Sequence, residues 1–282
     1  MARAARPAGL ALAICLAVAP AAEAQSREFS QTYDLDAGAS LTLISSRGSV
    51  RLTPWDRDQV EVRARIEAPS DVSADYARRA VEATRIEVTG DRRSLRIRPD
   101  YDDVPAERSL FDGMSRSVPP VHLEIRAPRR LDLRLDVDRS DTRFGGFEGR
   151  FDVESDRSDL ELADLVGELR LEVDRADRVD INGLTGSLVI DADRSELRVA
   201  FAKLTGGSRV EIDRGDVEVG LPATQGAEIS ATIERRASFD SDFPLTLRGK
   251  DGDRIEGAIN GGGPRLVLSS DRAPVRLRRI SR

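Results

Sequence analysis

Aromatic residues make up only 4% of the 282-residue chain, while charged residues make up 33%. That scarcity excludes a core of large stacked rings and favours short Leu/Val/Ile strands with charged outer faces. Histidine occurs once, at His122, and cysteine once, at Cys15, so zinc sites built on two or three histidines or on cysteines lack ligands. The 44 basic and 50 acidic residues give a net charge of −6 and are finely interleaved. No basic face is set aside for nucleic acid.

Residues 1–24 read as a secretory signal: Arg3 and Arg6 at the start, an apolar run from Gly9 to Val18, and Ala22-Glu23-Ala24 as a small-residue cleavage site before Gln25. The apolar run is too short to span a membrane permanently, so no stable transmembrane segment is expected in the mature chain. Cys15 lies inside that run behind Ile14, where a lipidated cysteine would want a small residue. Cleavage near Ala24-Gln25 leaves a cysteine-free chain suited to the periplasm or the extracellular space without disulfides.

What the sequence does have is a repeat. Asp138-Arg139-Ser140-Asp141, Asp156-Arg157-Ser158-Asp159, Asp174-Arg175-Ala176-Asp177, Asp193-Arg194-Ser195-Glu196 and Asp213-Arg214-Gly215-Asp216 begin 18, 18, 19 and 20 residues apart. Apolar residues alternate before each marker, as in Leu133, Leu135 and Val137, and again after it, as in Leu160 and Leu162. A glycine turn follows, such as Leu165-Val166-Gly167. The spacing predicts an all-β, single-stranded β-solenoid with two short strands per coil of about 18–20 residues. Its interior should be a thin aliphatic layer, and a bulge near Arg178 should absorb the extra residue of the third repeat.

The flanks read as ways of starting and stopping that repeat. Residues 25–120 are expected to form an N-terminal β-rich capping region, with a short helix capped by Ser70 or Asp71 and ending at Ala83. The Pro- and Asp-rich stretch from Pro99 to Pro120 reads as an exposed, least ordered loop. Residues 121–282 hold the repeat and its C-terminal capping coils, where Glu234-Arg235-Arg236-Ala237-Ser238 and Ser270-Asp271-Arg272-Ala273-Pro274 look like worn markers.

Three features carry a resemblance: Ile44-Ser-Ser-Arg-Gly-Ser-Val50-Arg-Leu52 followed by Pro54-Trp55-Asp56, the proline-ended strand Val121 to Pro128, and the repeated small-residue turn before an alternating strand. From about Phe29 to its end the chain resembles the bacterial putative-adhesin family, a domain of unknown function of the short-coil β-solenoid type. The resemblance implies a secreted or envelope-anchored protein and is nearly silent about activity. That family's turns usually carry Ser/Asn-Gly, whereas here only Arg47-Gly48 and Arg214-Gly215 keep the glycine.

Stacked markers would set an aspartate column beside an arginine column, with neighbours about 4.8 Å apart. Each aspartate is expected to hold the first position of a type I turn, with arginines offsetting aspartates of neighbouring coils. The functional reading makes Arg139, Arg157, Arg175, Arg194 and Arg214 a binding strip for an anionic envelope glycan, since the planar guanidinium grips carboxylates and phosphates in pairs. Calcium among the aspartates is disfavoured by the adjacent arginines. His122 alternates with Val121 and Leu123 and reads as an exposed sheet histidine. No catalytic, cofactor or metal residues are assigned. The expected function is a non-enzymatic, adhesin-like display or binding scaffold of the cell envelope, contacting an anionic glycan or another envelope protein. The alternatives are a carbohydrate-active lyase or hydrolase on a β-helix, and a self-assembling envelope scaffold; the sequence leaves the oligomeric state open.

Overall fold

The structure, a computed structural model, describes residues 26–70, 72–109, 113–115, 117–234, 237–248 and 254–281. The expected signal segment, Cys15, Asp71, and Arg235 and Arg236 lie outside the described residues. Period-two alternation sets the strands directly: Asp132–Asp138 buries Leu133, Leu135 and Val137 and turns Asp132, Arg134 and Asp136 outward. The same pattern recurs in Glu148–Asp156 and Val166–Asp174. All-β architecture with one short helix is the result.

Among the described residues the strands join into one mixed sheet of 22, with a separate hairpin from Glu107–Ser109 and Gly113–Ser115. Two parallel ladders make up most of it. One runs through Ser94–Asp100, Ser40–Ser45, Asp132–Asp138, Glu148–Asp156 and Val166–Asp174 to the second half of Val179–Asp193. The other runs through Val121–Pro128, Gly48–Trp55, Ser140–Gly145 and Leu160–Ala163 to the first half of the same strand. The sheet thereby wraps, nearly closed, round one apolar interior.

This corrects the expected single-stranded solenoid. Strand order is mixed: Val121–Pro128 lies between Gly48–Trp55 and the antiparallel strand Gln59–Glu67, which in turn pairs with Ser26–Asp34. At the other end Arg265–Ser270 inserts between Ser208–Ile212 and Ala227–Ile233, with Arg254–Ile259 antiparallel beyond it. Nor does every repeat consist of two short strands, because Val179–Asp193 runs for 15 residues straight through the expected Leu184-Thr185-Gly186 turn. Alternation records which side chains face inward; it does not record which strand becomes the neighbour.

Smaller expectations shift too. The helix spans Ala74–Ala83 and is capped by Ser73, whose Oγ accepts from the Tyr76 N–H at 3.2 Å. The stretch after Pro99 is not simply exposed: Val104 is buried with Tyr76 and Ala80, and the Tyr76 hydroxyl donates to the Pro105 carbonyl. The interior is not purely aliphatic, since Phe144, Phe147, Phe151 and Phe201 are buried and the rings of Phe144 and Phe151 sit 6.0 Å apart. The extra residue of the third repeat lies in the turn before Val179, where the Arg178 N–H donates to Asp159 Oδ1 and Leu160 still pairs with Val179. The register irregularity comes later, around Asn182 and Leu184. No helix among the described residues is long and apolar enough to cross a membrane.

Candidate functional site

Each marker begins where a strand of the first ladder ends, so parallel register stacks the markers. Asp138, Asp156, Asp174 and Asp193 are direct partners in successive pairs. The turn that follows is not the expected type I turn. Arg139, Arg157, Arg175 and Arg194 have φ of 47°, 51°, 58° and 53°, the left-handed region that residues with a Cβ avoid. In Arg47-Gly48 and Arg214-Gly215 the positive φ instead falls on the glycine. Where the third residue is Ser or Ala, the left-handed step therefore moves to arginine, at a cost of about 1 kcal/mol per turn.

Interactions fixed by the stacking offset that cost. The N–H groups of Arg139, Arg157 and Arg175 donate to the carbonyls of Asp156, Asp174 and Asp193 on the next rung, at 3.0, 2.9 and 3.0 Å. Their side chains reach the other way. Arg157 lies 3.0 Å from Asp138 and 2.6 Å from its own Asp156, and Arg175 lies 3.0 Å from Asp156 and 2.7 Å from Asp174. Arg194 joins Asp174 to Asp193, Arg214 joins Asp193 to Asp213, and Arg272 joins Asp213 to Asp271. The carboxyl of Asp213 is held below the usual range, first by its hydrogen bond from Arg272. One zigzag of alternating charge thus runs from Arg139 to Asp271, and the second of the worn markers is its last rung.

Two further columns support the corner. The third marker residue points inward, and Ser140, Ser158, Ala176 and Ser195 are buried. Ser158 Oγ accepts from the Ser140 N–H at 2.9 Å and donates to the Asp156 carbonyl, while Ser195 Oγ accepts from the Ala176 N–H. On the far side of the first ladder, Gly149, Gly167 and Gly186 stack with φ between 135° and 156°. A Cβ on Gly167 would lie 1.9 Å from the Gly149 carbonyl oxygen. Backbone of adjacent rungs fills the space a side chain would need.

Beside the zigzag runs a second acidic column. Asp136, Glu154, Glu172, Asp191 and Glu211, each two residues before a marker aspartate, are register partners on the outer face. Glu154 pairs with Arg134 at 2.8 Å, whereas Asp136, Glu172, Asp191 and Glu211 meet no basic side chain among the described residues. An open groove of about 390 Å³ separates the two columns and is lined by carboxylates of both. The arginine strip is therefore spent on its own aspartates and flanked by carboxylates most of which meet no basic side chain among the described residues.

The opposite face carries a shallow groove of about 890 Å³. Within it Ser49 Oγ lies 2.9 Å from His122 Nδ1, and His122 Nε2 lies 3.4 Å from Glu67 Oε2. This set has the residue types of a nucleophile, a base and an orienting acid but not the rest of a reaction centre. Glu67 also pairs with Arg65, and Gly48–Trp55 is paired on both sides, which commits its backbone N–H groups to the ladders instead of to an oxyanion. Among the described residues no group of three or more His, Cys, Asp or Glu is placed to hold a metal ion.

The sequence matches no family model and no curated protein. Among solved structures it is distantly similar to a putative cell adhesion protein from Clostridium sporogenes, at 10% identity and TM-score 0.36 over 91% of this chain and 100% of that one. A putative adhesin from Bacteroides fragilis gives 10% identity and TM-score 0.37 over 89% and 97%. A putative lipid binding protein from Parabacteroides distasonis gives 10% and 0.30 over 88% and 96%. At such scores these likenesses assign this chain neither a fold nor a partner.

The structure thus brings together all five arginines singled out from sequence, and it adds Arg272 from a distant part of the chain. The buried serines, the second acidic column and the Ser49–His122–Glu67 set were not found by sequence reasoning. For the acidic column a signal existed, since the residue two before every marker aspartate is Asp or Glu. For Ser49 and His122, 73 residues apart and joined through a non-consecutive pair of strands, there was none.

Proposed function

We propose that the chain is a secreted, non-enzymatic protein of the cell envelope, a rigid scaffold whose long charged faces display or bind an extended partner. The observation that carries this reading is the aspartate–arginine zigzag. Charges that bridge rung to rung stiffen a surface and hold it in one periodic pattern, and groups already satisfied by one another are poorly placed to act on a substrate. Both grooves are open troughs along sheet faces, which suits a polymer or a partner protein better than a small molecule. The signal-like residues 1–24 would send the chain to the periplasm or beyond it.

Two measurements test this. Cell fractionation should find the mature chain in the envelope or the medium; a cytoplasmic pool of uncleaved chain overturns the localisation. The purified mature chain, incubated with acidic and neutral envelope polysaccharides, should retain at least one of them without altering it. Accumulation of shortened or unsaturated products would replace the scaffold with an enzyme.

A further inference from the structure

The zigzag is balanced along its length and unbalanced at one end. Every arginine from Arg157 to Arg272 lies between two aspartates, its own and that of the preceding rung. Arg139 has only its own Asp138, at 2.8 Å, because the preceding rung puts Ser46 where the aspartate would stand. The difference shows in exposure: the Arg139 side chain is 59% exposed against 45% for Arg157. Behind Ser46 comes Arg47, which makes no ion pair with any described residue. The Gly48 N–H donates to the Arg139 carbonyl at 3.2 Å, so residues 46–48 sit directly on the first marker.

Arg139 therefore has only the carboxylate of Asp138, which also serves Arg157, and the exposed Arg47 beside it pairs with no described carboxylate. On the second ladder the chain next carries Pro119 and Pro120, with the Val121 N–H on the Arg47 carbonyl; on the first, Asp100 stands level with Ser46 by the Leu43–Ile97 register and already accepts the Asp102 N–H at 3.0 Å. The unpaired acidic column does not reach this corner either, because Ile44 stands beside Asp136 in the next rung. Like charges about one strand spacing apart, one of them making no ion pair with any described residue, make a site for an added oxyanion.

We infer that Arg47 and Arg139, with the exposed Ser46 hydroxyl between them, form a single oxyanion-binding site that takes a carboxylate, phosphate or sulfate group of an acidic envelope glycan. The inference rests on the scaffold reading and narrows it: anion binding belongs to one end of the column, not to the strip. In the middle, an anion would have to displace an aspartate from each guanidinium beside carboxylates that are already unneutralised.

The test compares two double variants of the mature chain on immobilised polygalacturonate and heparin, with free phosphate and sulfate as competitors. R47Q/R139Q should weaken retention at least about tenfold, as expected for losing two charge-assisted contacts, and leave the melting temperature within about 2 °C. R175Q/R194Q should keep retention within about twofold and lower the melting temperature instead. Polygalacturonate retention that free phosphate does not compete assigns a carboxylate; preference for heparin with sulfate competition assigns a sulfate; phosphate competition on both columns assigns a phosphate. Undiminished retention of R47Q/R139Q, or equal loss in R175Q/R194Q, overturns the end site while leaving the scaffold standing. A wild-type chain that ignores both anionic columns but holds a neutral polysaccharide rejects the anion site alone, and one that holds no polysaccharide rejects both.

Discussion

The guanidinium of Arg175 touches Asp156 on the rung before it at 3.0 Å while its own backbone is held at φ 58°. The same residue thus carries a strained conformation and the contact that compensates for it. Substitutions separate the two. R175Q keeps the left-handed strain and loses both carboxylates, whereas R175G loses the carboxylates and relieves the strain. In urea unfolding R175G should be more stable than R175Q by about 0.5–1 kcal/mol, and the wild type should exceed R175Q at low salt. Molar salt should shrink the second difference and leave the first. If both differences respond equally to salt, the strain assignment is wrong.

The glycine column makes a sharper demand. In G167A the new Cβ would meet the Gly149 carbonyl oxygen at 1.9 Å, and that oxygen belongs to Glu148–Asp156, which cannot move without breaking register with Val166–Asp174. A loss of more than about 3 kcal/mol, or failure to yield folded protein, is expected. Circular dichroism and thermal melting decide it. Near-native stability would mean that the sheet gives at this corner far more than a paired ladder should.

The buried serines offer an intermediate case. Ser158 Oγ is the acceptor for the Ser140 N–H inside the turn, so S158A leaves a buried donor unmet and should cost about 1–2 kcal/mol. Ala176 occupies the equivalent place one rung on, and its own N–H is met by Ser195. A176S adds an acceptor facing the Ser158 N–H and should accordingly be neutral or slightly stabilising. Equal effects of the two changes on chemical denaturation would remove the hydrogen bond as the reason for serine.

How much of this could be read from the residues follows from what kind of information each feature carries. Leu133, Leu135 and Val137 alternate with charge, and their burial was legible because period two is written in composition. The 18- to 20-residue spacing was legible too, and it is what puts Asp138 opposite Asp156. The left-handed step at Arg139 was not, because nothing in arginine prefers that region; it is imposed by a buried Ser140 that has to point inward. Strand order was equally hidden. Arg265–Ser270 has the same pattern as any other strand here, and only three-dimensional packing inserts it between Ser208–Ile212 and Ala227–Ile233. The second carboxylate at every rung was legible as well, since Asp136, Glu154, Glu172, Asp191 and Glu211 each stand two places before a marker aspartate.

Acid should cost the most stability where aspartates are held most firmly in the charged form. Asp213 is shifted below its ordinary value chiefly by Arg272, and Asp242 chiefly by the Arg279 backbone N–H, which donates at 2.9 Å. A carboxyl whose folded value lies below its unfolded value of about 4 stabilises the fold fully above that unfolded value, and the contribution disappears as pH falls through the folded value. Both groups tie Val275–Ile280 and the last rung of the zigzag to the rest of the sheet. Stability measured by urea at successive pH values should therefore be flat from neutrality to about pH 5 in this respect and fall below it. D213N/D242N should be less stable than the wild type at pH 7 and show a shallower acid slope, so that the two curves converge toward pH 2. Parallel curves across that range would mean that these two aspartates do not couple protonation to folding.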